Sequence, residues 1–297
     1  MRKQFVKTIE NIILKNNKIF IILGDIGVFG FRKIFKNKPN QILNIGILEQ
    51  STISFASGLA KIGFIPVVHT IATFLIERAF EQIKIDFGYQ KLPGNLVSIG
   101  ASYDYAAMGC THHCPADVNL MKNIPNTEII VPGTSEEFNI LFKSNYMNKK
   151  LTYFRLSEYE NNVSFKVKFA KANVIKKGKK ATIIAVGPVL NLLSKITDKY
   201  DVNLIYYTTI APFDYKTLDK IIKKKEKILI IEPFYQGSIL TEIFKIKNNN
   251  FCKIDTISVP LNFIHNYGTK ENIDKSIGFN EKNIEKKIKE LIYDKAK

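Results

Sequence analysis

The chain alternates short apolar runs rich in Ile and Val with longer segments whose apolar residues recur at helical spacing. This order points to βαβ units and a parallel sheet, whose covered strands read as unbroken apolar stretches. In the first part, strands are predicted at 19–25, 41–47, 65–71, 95–101, 128–133 and 151–157. Helices are predicted at 50–62, 74–89, 116–123 and 135–146. The opening segment MRKQFVKTIENIILKNNK also mixes apolar and charged residues at helical spacing. After a polar, irregular stretch over 158–180, a second alternating set follows. Its strands are predicted at 181–187, 202–210, 227–234 and 252–260, with helices starting from Pro188, Asp214, Ser238 and Asn280. The expected fold is α/β, with two doubly wound, mostly parallel-sheet domains over 1–165 and 166–297.

Composition narrows the class. With 297 residues, 45% of them hydrophobic and 24% charged, the chain can bury two ordinary cores and is expected to be soluble. No apolar run has the length of a membrane span, and the N-terminus lacks the apolar core of a signal peptide. Three cysteines make no disulfide framework, so a reducing cytoplasm is the expected location. The net charge of +17 is spread along the chain. Its densest runs, 176–180 and 220–227, lack the aromatic interleaving of a nucleic-acid surface. Neither a nucleic-acid nor a membrane partner is expected, and the charge favours solubility and anionic small molecules.

Candidate chemistry gathers where predicted strands end, because ligands of open parallel sheets bind beyond the carboxyl ends of the strands. Those ends carry Asp25, Glu49, the segment His69 to Phe74, and the long loop Gly100–Asp117. Glu49 stands where the run IGIL meets a helix rich in small residues. It is either a first-turn charge stabilised by the helix dipole or a partly buried acid held for chemistry. Asp25 reads as a turn former or a site residue. Cys110, His112, His113 and Cys114 are too crowded along the chain to close on one tetrahedral ion, so no metal site is assigned. A histidine presented into a polar cleft and a packed pair of histidines both remain open.

In order along the chain, Leu23–Asp25 (LGD), GILEQ…ASGLA (46–60), ATFLIERAFEQI (72–83), QKLP (90–93), Thr111-His112, VPGTSEE (131–137), APFD (211–214), Glu232-Pro233 and FIHNYG (263–268) resemble the C-terminal half of the transketolase family. The likeness covers nearly the whole chain, and it is the ordered succession that is specific. It implies a pyrimidine-binding domain followed by a transketolase C-terminal domain, and thiamine diphosphate as cofactor. Glu49 matches the family glutamate that shares a proton with the aminopyrimidine ring. Phe74 matches the aromatic that stacks on that ring, and Phe80 lies on a helix face toward the same region. His112 matches the histidine that polarises substrate oxygens. Arg2 matches an arginine that binds substrate phosphate. Asp25, His69 and Arg155 join the substrate-binding set.

The departures from the family pattern carry information too. No GDG motif occurs in the sequence; in the family, that motif and a following Asn hold the cofactor diphosphate through a metal. The resemblance therefore implies a separate N-terminal-half subunit carrying that motif and a divalent metal (Mg), in an α2β2 assembly. By spacing, a family histidine falls on Gly100, an aspartate on Met108, a serine near Phe29 and an arginine near Glu158, with Arg155 close by. The implied activity is transfer of a two-carbon ketol unit from a ketose donor to an aldehyde or ketone acceptor. Loss of the polar positions suggests a modified or nucleotide-linked sugar. The competing readings are the β subunit of a 2-oxo acid dehydrogenase, a deoxyxylulose-phosphate-synthase-like enzyme, and a non-catalytic assembly subunit.

Overall fold

The computed structural model describes residues 1–222, 226–247 and 251–293, so the centre of the basic run 220–227 lies outside the described residues. In the first half, α1 (Arg2–Ile13), β1 (Ile19–Leu23), α2 (Arg32–Asn37), β2 (Ile42–Asn44), α3 (Glu49–Lys61) and β3 (Ile65–Ile71) follow one another. A helical stretch then winds as π turns over Thr73–Arg78 and Ile83–Tyr89, around a short α turn, α4 (Phe80–Gln82). Next come β4 (Gly94–Ile99), α5 (Asp117–Lys122), β5 (Glu128–Ile130), α6 (Ser135–Asn145) and β6 (Leu151–Arg155). The second half runs β7 (Asn173–Lys176), β8 (Thr182–Val186), α7 (Asn191–Thr197), β9 (Asn203–Tyr207), β10 (Thr209–Ala211) and α8 (Tyr215–Ile221). It ends with β11 (Glu226–Tyr235), α9 (Leu240–Ile243), β12 (Phe251–Val259), α10 (Lys270–Ser276) and α11 (Glu281–Tyr293).

Two sheets result, ordered β10-β5-β6-β4-β3-β1-β2 and β12-β11-β8-β9-β7, parallel except at β10 and β7. Strands β4, β6, β8 and β9 are buried along their whole length, which explains why apolar residues dominate them, while the polar residues they carry, such as Asn95, Ser98 and Arg155, are buried too. Helix α1 packs its buried Phe5, Ile9 and Ile13 into one face of the core.

Two elements depart from the sequence expectation. The apolar run 202–210 is broken at Thr208: β9 stays in the second sheet, while β10 crosses over to pair antiparallel with β5. The Val131 N–H donates to the Thr208 carbonyl (2.8 Å), which fixes the crossing point. Within the stretch expected to be irregular, Asn173–Lys176 forms the antiparallel edge strand β7 against β9. Periodicity reports neither, because both are pairing choices made by distant parts of the chain. Strand order reverses about β1, with β2 on one side and β3 then β4 on the other. The crevice expected at such a switch point lies at the carboxyl ends of β1 and β3.

Candidate active site

Glu49 is the first residue of α3, following Gly46, whose φ of 84° turns the chain from β2 into the helix. It lies in the first turn, where the helix dipole favours a carboxylate, and it is also only 2% exposed. Its Oε2 accepts a hydrogen bond from Arg78 Nη1 at 2.8 Å. Oε1 has no hydrogen bond among the described residues. The Arg78 guanidinium in turn lies 4.2 Å over the centre of the Phe74 ring. Phe74 meets the His112 ring edge-on, with centroids 5.2 Å apart. His112 Nδ1 is paired with Thr111 Oγ1 at 2.9 Å. Glu49, Arg78, Phe74 and His112 thus form one continuous cluster, drawn from the ends of β2, β3 and β4. Sequence reasoning missed Arg78; the signal was its position four residues after Phe74, on the same helical stretch.

Beyond His112 the rim is aromatic. Tyr105 stands 6.3 Å from the His112 ring, and its hydroxyl donates to Glu158 Oε1 at 3.3 Å. Gly100 has φ +81°, and a Cβ there would overlap the Tyr105 ring. That ring therefore occupies the space a side chain at position 100 would need. Asp104 accepts from the Ser157 hydroxyl (3.0 Å) and the Glu158 N–H (2.9 Å), fixing the Glu158 turn. Burial pushes the Asp104 carboxyl up to about 6, against those hydrogen bonds and the nearby Lys270 charge. Arg2, the first residue of α1, is exposed.

Four expected residues stand apart from this cluster. His69 is fully buried, with Nδ1–H donating to the Val97 carbonyl (2.8 Å) and its ring 4.6 Å from Phe5. Burial lowers its pKa to about 4, so it is a neutral core histidine and not a cleft residue. Strand β3 is buried from Pro66 to Thr70, so both of its faces are covered. Arg155 is also buried, its Nε donating to Asp117 Oδ2 (2.7 Å) and its Nη2 to Ser102 Oγ (2.8 Å) and the Pro233 carbonyl (3.1 Å). Those bonds occupy the guanidinium in a joint between the two sheets. Asp25 is exposed with φ +57° and exchanges hydrogen bonds with Asn44, backbone N–H to Oδ1 (2.9 Å) and Nδ2 to Asp25 Oδ1 (3.0 Å). It forms the turn after β1. Phe80 packs half-buried against the core, and no ring contact among the described residues joins it to Phe74 or His112.

The CTHHC side chains diverge. His112 turns to Phe74, His113 packs edge-on against Tyr103 at 4.8 Å, and buried Cys114 donates to Glu77 Oε1 at 3.7 Å, while Cys110 is exposed. Among the described residues no group of three or more His, Cys, Asp or Glu could hold a metal ion, and no helix is long and apolar enough to cross a membrane.

Comparison with known proteins agrees with the fold. Residues 1–162 match the family profile "Transketolase, pyrimidine binding domain", and residues 170–284 match "Transketolase, C-terminal domain". An uncharacterized 33.6 kDa protein in the fasciation locus of Rhodococcoides fascians is 30% identical, over 97% of this chain and 93% of that protein. An apulose-4-phosphate transketolase subunit of Actinobacillus succinogenes is 26% identical, over 82% of this chain and 81% of that one. A 1-deoxy-D-xylulose-5-phosphate synthase of Francisella tularensis is 29% identical, but the match spans only 42% of that enzyme's length. Among solved structures, a split gene transketolase, described as an inactive beta4 tetramer, superposes with a TM-score of 0.81 at 21% identity, over 98% of this chain and 97% of that one. At that identity the match speaks for the fold.

Proposed function

The chain belongs to the transketolase family, through its pyrimidine-binding and C-terminal domains, and we propose that it serves as one subunit of a thiamine-diphosphate-dependent transferase of transketolase type. Its reaction is transfer of a two-carbon ketol unit from a ketose donor to an aldehyde or ketone acceptor. The observation that carries this reading is Glu49, a buried carboxylate joined through Arg78 to the ring of Phe74. A carboxylate oxygen without a hydrogen bond among the described residues, close to a half-buried aromatic ring, fits an aminopyrimidine. The carboxyl answers a ring nitrogen, and Phe74 offers a stacking surface. When bound, thiamine diphosphate supplies the nucleophilic carbon on which the ketose carbon–carbon bond is cleaved and re-formed.

The chain's own residues then have separable tasks. Glu49 holds a proton at the pyrimidine nitrogen, and Arg78 fixes the carboxylate that does so. Phe74 keeps water from one face of the ring. His112, with Nδ1 tied to Thr111, is left with Nε2 to give or take a proton at a substrate oxygen. Arg2 is the basic group available to an anionic substrate. Glu158, hydrogen-bonded to Tyr105, disfavours phosphate at its part of the rim and suits a hydroxyl-bearing group, in keeping with a modified or nucleotide-linked acceptor. A partner subunit supplies the diphosphate site with its divalent metal, Mg, in an α2β2 assembly. The support for a partner is a relative named as one subunit of a transketolase and a solved neighbour described as a split gene transketolase.

The test is Glu49→Gln, which keeps the side-chain shape and removes the acid. Reconstituted with its partner, the variant is expected to keep its circular dichroism and lose turnover by at least about a hundredfold. Undiminished turnover would remove Glu49 from the mechanism. A wild-type pair that binds no thiamine diphosphate would favour the non-catalytic assembly role.

A further inference from the structure

The loop Gly100–Asp117, which carries His112, is tied to the first domain through Asp104, Cys114 and Asp117, and it is also tied to the second domain. Arg155 Nη2 and Ser102 Oγ both donate to the Pro233 carbonyl at the end of β11. Two residues on, the Tyr235 N–H donates to the Pro115 carbonyl at 2.9 Å. Between these straps Tyr103 and Ala106 of the loop share a small apolar core with Val259 and Ile273 of the second domain. The fourth contact lies closest to the chemistry. Gly109 has φ +73°, and a Cβ there would lie 2.6 Å from the Tyr267 ring. The His112 N–H donates to the Gly109 carbonyl (3.0 Å), so the peptide covered by Tyr267 is the one that sets the His112 turn.

We propose that Tyr267, reaching from the second domain onto Gly109, is a positioning residue for His112, and that the C-terminal domain thereby sets the geometry of the active-site loop. Both features are needed for this contact. A left-handed turn at 109 lets the backbone approach the ring, and glycine is the residue that adopts it without strain. Tyr267 is 70% exposed, so the core does not require an aromatic there; what its ring covers is the His112 turn. A side chain at the domain boundary that misplaces a reacting group by about 1 Å costs on the order of a hundredfold in rate.

The role assigned to His112 rests on the function proposed above; the mechanical coupling does not, and two separate measurements read them. Hydrogen–deuterium exchange of the full chain alone reads the coupling. Tyr267→Ala and Gly109→Ala should each raise exchange at least about tenfold across 109–113 and leave β1, β3 and β4 unchanged, while Tyr267→Phe should match wild type. In the reconstituted pair both alanine variants should lower kcat at least about tenfold with the affinity for thiamine diphosphate unchanged, and Tyr267→Phe should restore it. Unchanged exchange in Tyr267→Ala would overturn the coupling. Raised exchange with unchanged kcat would overturn the positioning role. A wild-type pair without turnover would refute the proposed function, and the exchange measurement would still decide whether the second domain holds the loop.

Discussion

The joint between the sheets offers the sharpest stability experiment, because it decides what Arg155 does. Arg155 and Asp117 are both buried, and their 2.7 Å contact is supported by Tyr153 Oη on Asp117 Oδ2 (2.7 Å) and by Ser102 and Pro233 on the guanidinium. Arg155→Leu would leave the Asp117 carboxylate in the interior with one hydroxyl for company. Asp117→Leu would strand the guanidinium in the same way. Removing one partner of a buried pair typically costs about 3–5 kcal/mol, because the charge left behind has lost both its counter-ion and water. The double variant removes both charges, and what remains is loss of the hydrogen bonds to Ser102, Tyr153 and Pro233, at about 1 kcal/mol each. The double variant should therefore be no less stable than either single, with a coupling energy of about 3 kcal/mol or more. Urea unfolding of the four proteins measures this. A substrate-binding arginine would behave differently: Arg155→Leu would stay within about 1 kcal/mol of wild type and would raise KM. That outcome would refute the joint and restore the role expected from the sequence.

The site and its surroundings give two more expectations. Arg78→Ala should weaken thiamine diphosphate binding by the reconstituted pair about tenfold in calorimetry, and unaltered affinity would show that Arg78 does not hold Glu49 for the cofactor. His69 has a folded-state pKa near 4, below its ordinary 6.5, so the unfolded chain takes up its proton first, and stability present above about pH 6.5 is lost as pH falls toward 4, by about 2 kcal/mol at about pH 5. Asp104 and Glu232, raised by burial to about 6 and about 7, oppose that trend in the same range. The quantity to measure is therefore the stability difference between wild type and His69→Asn, which should move by about 2 kcal/mol in the variant's favour between about pH 7.5 and about pH 5. A difference independent of pH would mean His69 is not a neutral core histidine.

The α/β alternation and the positions of most strands are legible along the chain because they depend on local order, whereas Glu49, Phe74 and His112 are singled out by the resemblance to the transketolase family. Apolar runs mark covered strands, and chemistry in parallel sheets gathers at strand ends, which are countable in one dimension. What each side chain meets is not legible there. His69 and Arg155 sit at strand positions whose polarity looks functional when read in line. In the packed structure one faces Phe5 and Val97, and the other pairs with Asp117 and donates to the Pro233 carbonyl of the second sheet. For Arg78 the spacing from Phe74 is legible, but its contact with Glu49, 29 residues away, is not. Tyr105 and Tyr267 come to the rim through Gly100 and Gly109, whose backbone conformations make room for the rings. The transfer of β10 into the first sheet and the straps on the His112 loop are likewise pairings over long sequence distances. Local pattern fixes which residues can be strand, helix or turn; which distant group satisfies a buried charge or covers a catalytic turn is settled only when the two domains close on each other.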